Sequence, residues 1–166
     1  MREDIEFNAS DGTVLRGWHY RPDEPSAAPH PVIVISHGYG AVKEMALEVF
    51  VQQFSGAGLA CLVYDHRCFG DSDGQPRQEI APFVHYAAYE PGSYIDRIAP
   101  TPLLMICISQ DTITPTDEIL HAYRDACEPK RLVLLPGGHC DVYGAQRSAA
   151  AEAAAGWFHE HLAGQA

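Results

Sequence analysis

Four residues able to hold or move a proton each follow a short apolar run: His37 after Pro31–Ser36, Asp65 after Leu59–Tyr64, Asp111 after Thr101–Ser109 and His139 after Arg131–Leu135. An imidazole titrates near neutrality, so it can take a proton from a reacting group and return it, and a carboxylate beside it can fix which ring nitrogen carries the hydrogen. A nucleophile is harder to find. Gly70-Asp71-Ser72-Asp73-Gly74 satisfies the pattern G-x-S-x-G literally. In that motif the serine stands on a sharp turn between a strand and a helix. Here no strand runs into Ser72, Gln75-Pro76 blocks an immediate helix, and the two flanking aspartates oppose a developing negative charge. Ser72 is therefore a nucleophile by pattern and a turn serine by context. The five cysteines at 61, 68, 107, 127 and 140 form no C-x-x-C pair, and an odd number cannot all pair internally, so reduced thiols are expected. Cys61 and Cys107 lie in apolar runs and read as core residues. Cys68 and Cys140 lie in loops, where a thiolate could replace a serine. His66, Cys68, His139, Cys140 and Asp141 lack the spacing of a zinc motif, so neither metal nor cofactor is expected.

The elements that must carry these residues alternate in period. Ile5 and Phe7 alternate with polar residues, Asp11-Gly12 supplies a turn, and Val14–Tyr20 returns as the second arm of a hairpin. Pro31–Ser36 is a continuous β-branched run, the pattern of a strand buried on both faces. From Val42 to Phe54 the apolar residues recur at helical spacing, with Lys43, Glu44, Glu48 and Gln52 between them, and Gly56-Ala57-Gly58 closes the helix. Leu59–Tyr64 and Thr101–Ser109 read as strands, Thr116–Cys127 as a helix, Arg131–Leu135 as a strand and Ser148–Leu162 as a closing helix. Residues 79–98 hold a short helix interrupted at Pro91-Gly92. Strands alternating with helices predict a mostly parallel sheet covered on both faces, and in such sheets the ligand crevice lies beyond the carboxyl ends of the strands. His37, Asp65, Asp111 and His139 would all gather along that rim.

Composition narrows the partners. The 166 residues suit one domain, taken here as residues 1–166. Twenty-two acidic residues against 11 Lys and Arg give a net charge of −11, which repels phosphate backbones and anionic lipid, so no nucleic acid is expected. The longest apolar runs fall far short of the roughly 20 residues needed to cross a bilayer, so no membrane is expected either. The acidic start Met1-Arg2-Glu3-Asp4 lacks the basic and apolar regions of a signal peptide, which makes the cytoplasm the expected location.

Taken in order, the motifs resemble the α/β-hydrolase fold, in particular its esterase and dienelactone-hydrolase-like branch. The matching residues are Asp11-Gly12 with Leu15-x-Gly17, His37-Gly38-Tyr39-Gly40, Tyr64-Asp65-x-Arg67-x-x-Gly70-x-Ser72-x-Gly74, Asp111-Thr-Ile-Thr-Pro115 and Gly138-His139-Cys-Asp-Val-Tyr143. The resemblance implies that His139 is the catalytic histidine and Asp111 the acid that orients it. It implies that the backbone at Gly38 and Tyr39 supplies the oxyanion hole through the Tyr39 N–H. It also exposes a departure: the interval between Arg67 and the Asp111 strand lacks the strand–elbow–helix unit that carries the family's serine. With that block missing, the Val32–Ser36 strand is expected to pair directly with Leu103–Ser109. Residues 79–98 would form the crossover, giving a twisted, mostly parallel sheet of about six strands with an N-terminal hairpin. An exposed central edge would instead pair with a second copy, and a homodimer is the expected assembly.

Three functions follow. The first is a hydrolase acting on a small ester, lactone or related acyl compound through His139 and Asp111, with water, Ser72 or a partner's group as nucleophile. The second is a lyase, cyclase or isomerase that uses the same pair for proton transfer alone. The third is a non-catalytic hydrolase-like remnant. A small-molecule substrate is the partner of the first two.

Overall fold

A computed structural model describes residues 2–22, 30–38, 40–74 and 91–162. The chain divides into two compact units, Met1–Arg77 with Phe158–Ala166, and Gln78–Trp157. The first unit holds a four-stranded sheet in the order β1-β2-β4-β3, where β1 is Arg2–Asn8, β2 Val14–Tyr20, β3 Val32–Ser36 and β4 Ala60–Tyr64. The hairpin is formed as the alternation predicts, with Ile5 opposite Gly17 and Phe7 opposite Leu15. Gly12 takes a positive φ of 84° at the turn, a conformation that costs a glycine little. Gly17 is required for a different reason: a Cβ there would collide with the Val63 carbonyl and Tyr64 on β4, so only glycine lets β2 and β4 approach.

The second unit holds a parallel pair, β5 (Leu103–Ile108) and β6 (Lys130–Leu135), with a 3₁₀ helix over Pro91–Arg97 and helix α2 over Thr116–Asp125. Asp117 and Glu118 in the first turn of α2 complement its dipole. Lys130 ends the helix by donating from Nζ to the carbonyls of Tyr123 (2.8 Å) and Ala126 (2.6 Å). The alanine-rich segment forms α3 (Arg147–Leu162). Its Ala150, Ala151, Ala154 and Ala155 are buried, small side chains that allow close packing along one face. Phe158, in the last turns of α3, meets Phe54 edge to face at 5.4 Å.

Three expectations change. Among the described residues the pairing is mixed in the first unit, where β2 runs antiparallel to both β1 and β4, and parallel in the second, so the first unit's sheet is not mostly parallel. Residues 75–90, most of the expected crossover, lie outside the described residues. Second, β3 is not buried on both faces. It ends the sheet order, and Val32 and Val34 are 51% and 61% exposed while Ile33 is 6% exposed. Alternation has replaced the two-faced burial that a β-branched run suggests.

Third, helix α1 spans Glu48–Gly56 and starts six residues later than the period predicts. Residues 43–46 form turns instead, because the Lys43 N–H is taken by the Asp65 carboxylate (2.7 Å) and Ala46 sits at φ 61°, which no right-handed helix tolerates. Among the described residues no helix is long and apolar enough to cross a membrane.

Candidate active site

In the second unit the register of β5 on β6 builds a rim. Ile108 lies opposite Leu135, so the two parallel strands end level. Two further bonds extend the match, from Ser109 N–H to the Leu135 carbonyl (2.8 Å) and from Gln110 N–H to the Gly137 carbonyl (2.9 Å). Asp111 and His139 are the next functional side chains beyond them. They stand 28 positions apart in the chain, yet His139 Nδ1 lies 2.8 Å from Asp111 Oδ2 and 3.1 Å from Oδ1.

The loop after β5 is built around that carboxylate. Asp111 Oδ1 accepts the Ile113 and Thr114 N–H groups at 2.9 Å each, a local turn typical of aspartate. The Thr114 hydroxyl donates to Oδ2 (2.9 Å). Thr116 ties the loop down from behind, donating from Oγ1 to the Ile108 carbonyl and accepting the Asp111 N–H. The Asp111 side chain is 8% exposed and that of His139 35% exposed. Burial pushes the Asp111 carboxyl up, but the donors from His139, Thr114 and Ile113 outweigh it and hold the group well below the usual carboxylate range. On the other strand, Asp141 Oδ2 accepts the Gly138 N–H (2.7 Å), fixing the turn into the 3₁₀ helix that begins with His139. With Nδ1 bound to the carboxylate, Nε2 is the ring nitrogen left for chemistry.

The first unit carries the other candidates. Ser72 is 9% exposed; its hydroxyl donates to the Asp65 carbonyl (2.8 Å) and accepts the Arg16 N–H (2.9 Å). The Asp65 N–H donates in turn to the Arg16 carbonyl, so Ser72 closes a three-way tie between β2 and the loop after β4. Gly70, at φ 50°, has no room for a Cβ, which would fall on the Asp65 carboxylate. The buried His37 accepts the His66 N–H at Nε2 (3.1 Å) and lies with Nδ1 2.9 Å from the Gly38 carbonyl, contacts that suit a ring hydrogen on Nδ1. The Gly38 carbonyl also accepts the Ala41 N–H. Tyr39 lies outside the described residues. Arg67 pairs with Asp11 at 2.6 Å. All five cysteines are free; Cys61 and Cys107 are buried, and burial lifts the Cys61 thiol to about 11.

Lys43 is the residue that sequence reasoning missed, since helical spacing puts it on a solvated face. It is 2% exposed, and its Nζ meets Asp65 Oδ2 and Asp71 Oδ2 at 2.7 Å each and Glu44 Oε1 at 2.9 Å. Glu44, Asp65 and Asp71 converge closely enough to hold a metal ion, but the lysine ammonium already bonds to all three. Burial disfavours the charge on either partner, and the hydrogen bonds prevail: Asp65 is lowered and Lys43 raised. A groove of about 770 Å³ opens beside this cluster, lined by Arg2, Arg16, Trp18, Lys43 and Asp71 among others; Asp111 and His139 do not line it.

No protein-family model matches the chain. A polyketide transferase of Aspergillus fumigatus is 42% identical over 81 residues, 49% of this chain and 26% of that protein. A thiohydrolase of Eupenicillium brefeldianum is 36% identical over 88 residues, 53% of this chain and 27% of that protein. The sequence matches thus cover about half of this chain and about a quarter of each relative. In structure, the α/β hydrolase GrgF of a Penicillium species superposes with a TM-score of 0.80 at 18% identity, over 98% of this chain and 99% of its own. The chain therefore has the fold of this α/β hydrolase.

Proposed function

We propose that the chain is a hydrolase-type enzyme acting on a small acyl compound, with His139 as proton acceptor and Asp111 as its orienting carboxylate. The observation that carries this reading is the 2.8 Å bond between His139 Nδ1 and Asp111 Oδ2. It leaves Nε2 as the basic atom, the arrangement that hydroxyl activation requires. Water is the nucleophile in this reading, because the Ser72 proton is committed to the Asp65 carbonyl. His139 Nε2 takes a proton from water as the oxygen adds to the acyl carbon. The tetrahedral adduct then expels its alkoxide or thiolate, which recovers that proton from His139. The relatives named thiohydrolase and polyketide transferase make an acyl–sulfur bond the first to try, ahead of simple esters and lactones.

The test is hydrolysis of short acyl thioesters and p-nitrophenyl esters by the wild type, His139→Ala and Asp111→Asn. Loss to background in His139→Ala, and a fall of about 10²–10⁴ in kcat for Asp111→Asn, are expected. Wild-type rates equal to those of His139→Ala would overturn the reading. Proton transfer without a covalent step, as in a lyase or isomerase, is the second reading, favoured by the committed Ser72 hydroxyl. It predicts a substrate that changes structure without gaining water.

A second copy of the chain is the partner proposed beside the substrate. Its support is β3, which pairs on one side with β4 and exposes Val32 and Val34.

A further inference from the structure

We propose that Thr114 is a positioning residue for the Asp111–His139 pair: its hydroxyl locks the carboxylate and the imidazole together and fixes the ring in one tautomer. The inference rests on reading that pair as the working group. Thr114 Oγ1 lies 2.9 Å from Asp111 Oδ2 and 3.1 Å from His139 Nδ1. A hydroxyl has one proton to donate and lone pairs to accept. Asp111 is ionised and accepts only, so the Thr114 proton goes to Oδ2. The oxygen then faces Nδ1 as an acceptor, and the Nδ1–H is shared between the carboxylate and the threonine. The carboxylate cannot face a bare Nδ1, and while the hydroxyl proton is held by Oδ2 the threonine oxygen is a second acceptor for the Nδ1–H.

The loop does not need this hydroxyl to hold its shape. Asp111 Oδ1 already takes the backbone N–H groups of Ile113 and Thr114, and Thr116 already fastens the loop to the end of β5. The side-chain oxygen of Thr114 is therefore engaged with the pair itself. It closes a triangle among three side chains in which each member restrains the other two. A ring held from two directions cannot swing about its bond to the carboxylate, and that restraint keeps Nε2 aimed along one line. Restraint of this kind acts on turnover more than on binding.

Two variants separate the role from mere packing. Thr114→Val keeps the shape and removes the hydroxyl; Thr114→Ser keeps the hydroxyl and removes a methyl. The probe is ¹⁵N NMR of the histidine rings in the full chain at a pH where they are neutral, with the His139 signals identified by their loss in His139→Gln. The wild type and Thr114→Ser are expected to show one Nδ1–H tautomer at His139, and Thr114→Val a mixture. On an acyl substrate Thr114→Val is expected to lose about tenfold in kcat, the worth of one modest hydrogen bond, with KM little changed, and Thr114→Ser to recover most of it. If Thr114→Val does not fold, Thr114→Ala is read by the same signals. An unchanged tautomer in the hydroxyl-less variant would overturn the proposal. If the wild type hydrolyses nothing, the hydrolase reading falls, while the ring spectra still decide the role of Thr114.

Discussion

At the scale of single residues, hydrogen-bond direction separates serines and lysines that look alike in the sequence. Ser72 occupies the middle of a nucleophile pattern, yet its proton points at the Asp65 carbonyl and its lone pair takes the Arg16 N–H. Ser72→Ala is expected to leave any acyl-transfer rate near that of the wild type. It is also expected to destabilise the fold by about 1–3 kcal/mol, because the Arg16 N–H loses its acceptor; a urea titration measures the second effect. Lys43 gives the pH counterpart. Asp65 is lowered in the folded state, so its contribution is present above the unfolded carboxylate value near 3.9 and is lost as pH falls toward the folded value. Lys43 is raised, so its contribution is present below the unfolded value near 10.4 and is lost as pH climbs through the folded one. Asp65→Asn should therefore cost about 3–5 kcal/mol at pH 7. That cost should shrink toward pH 3, because below about 3.9 the unfolded Asp65 binds a proton that folding must expel; urea midpoints of both proteins at the two pH values check it.

At the scale of elements, the sequence located the described strands and the helices α2 and α3 to within a few residues, whereas α1 starts six residues late and a 3₁₀ helix begins at Pro91, where the short helix of residues 79–98 was expected to break. Period alone carries the helix back to Val42, but a buried lysine and an alanine at positive φ keep residues 43–46 in turns. Neither is visible in a hydrophobic pattern, since the first depends on an aspartate 22 positions away. Ala46→Gly tests the backbone part. An L-residue in the left-handed region carries a penalty that glycine does not, so the variant should gain up to about 1 kcal/mol, read as a raised urea midpoint. Thr114 and Thr116 were legible only as members of an Asp-Thr-Ile-Thr-Pro-Thr string. That string announces a turn, but which hydroxyl faces the carboxylate and which faces the strand is settled by the chain's path.

At the scale of the whole molecule, the first unit holds a mixed sheet and the second a parallel pair, and Val32 and Val34 stand exposed on β3, the last strand in the first unit's order. If two copies meet there, Val34→Lys should shift sedimentation toward the monomer while leaving the circular dichroism spectrum unchanged. A wild type that sediments as a monomer at high concentration would remove the dimer.

By itself the sequence determined which residue types stand at strand ends, because β-branched runs and helical spacing are local properties that any chain of this pattern expresses. It determined the α/β character for the same reason: Asp111 and His139 each follow a strand, and the parallel pair of β5 and β6 brings both positions to one rim. Only the tertiary structure decided how β5 registers on β6, that β3 faces outward on one side, that Lys43 is buried and that Ser72 is tied to Asp65. Each depends on contacts between residues far apart in the chain, where one shift of register or one buried charge changes the outcome and no local pattern records it.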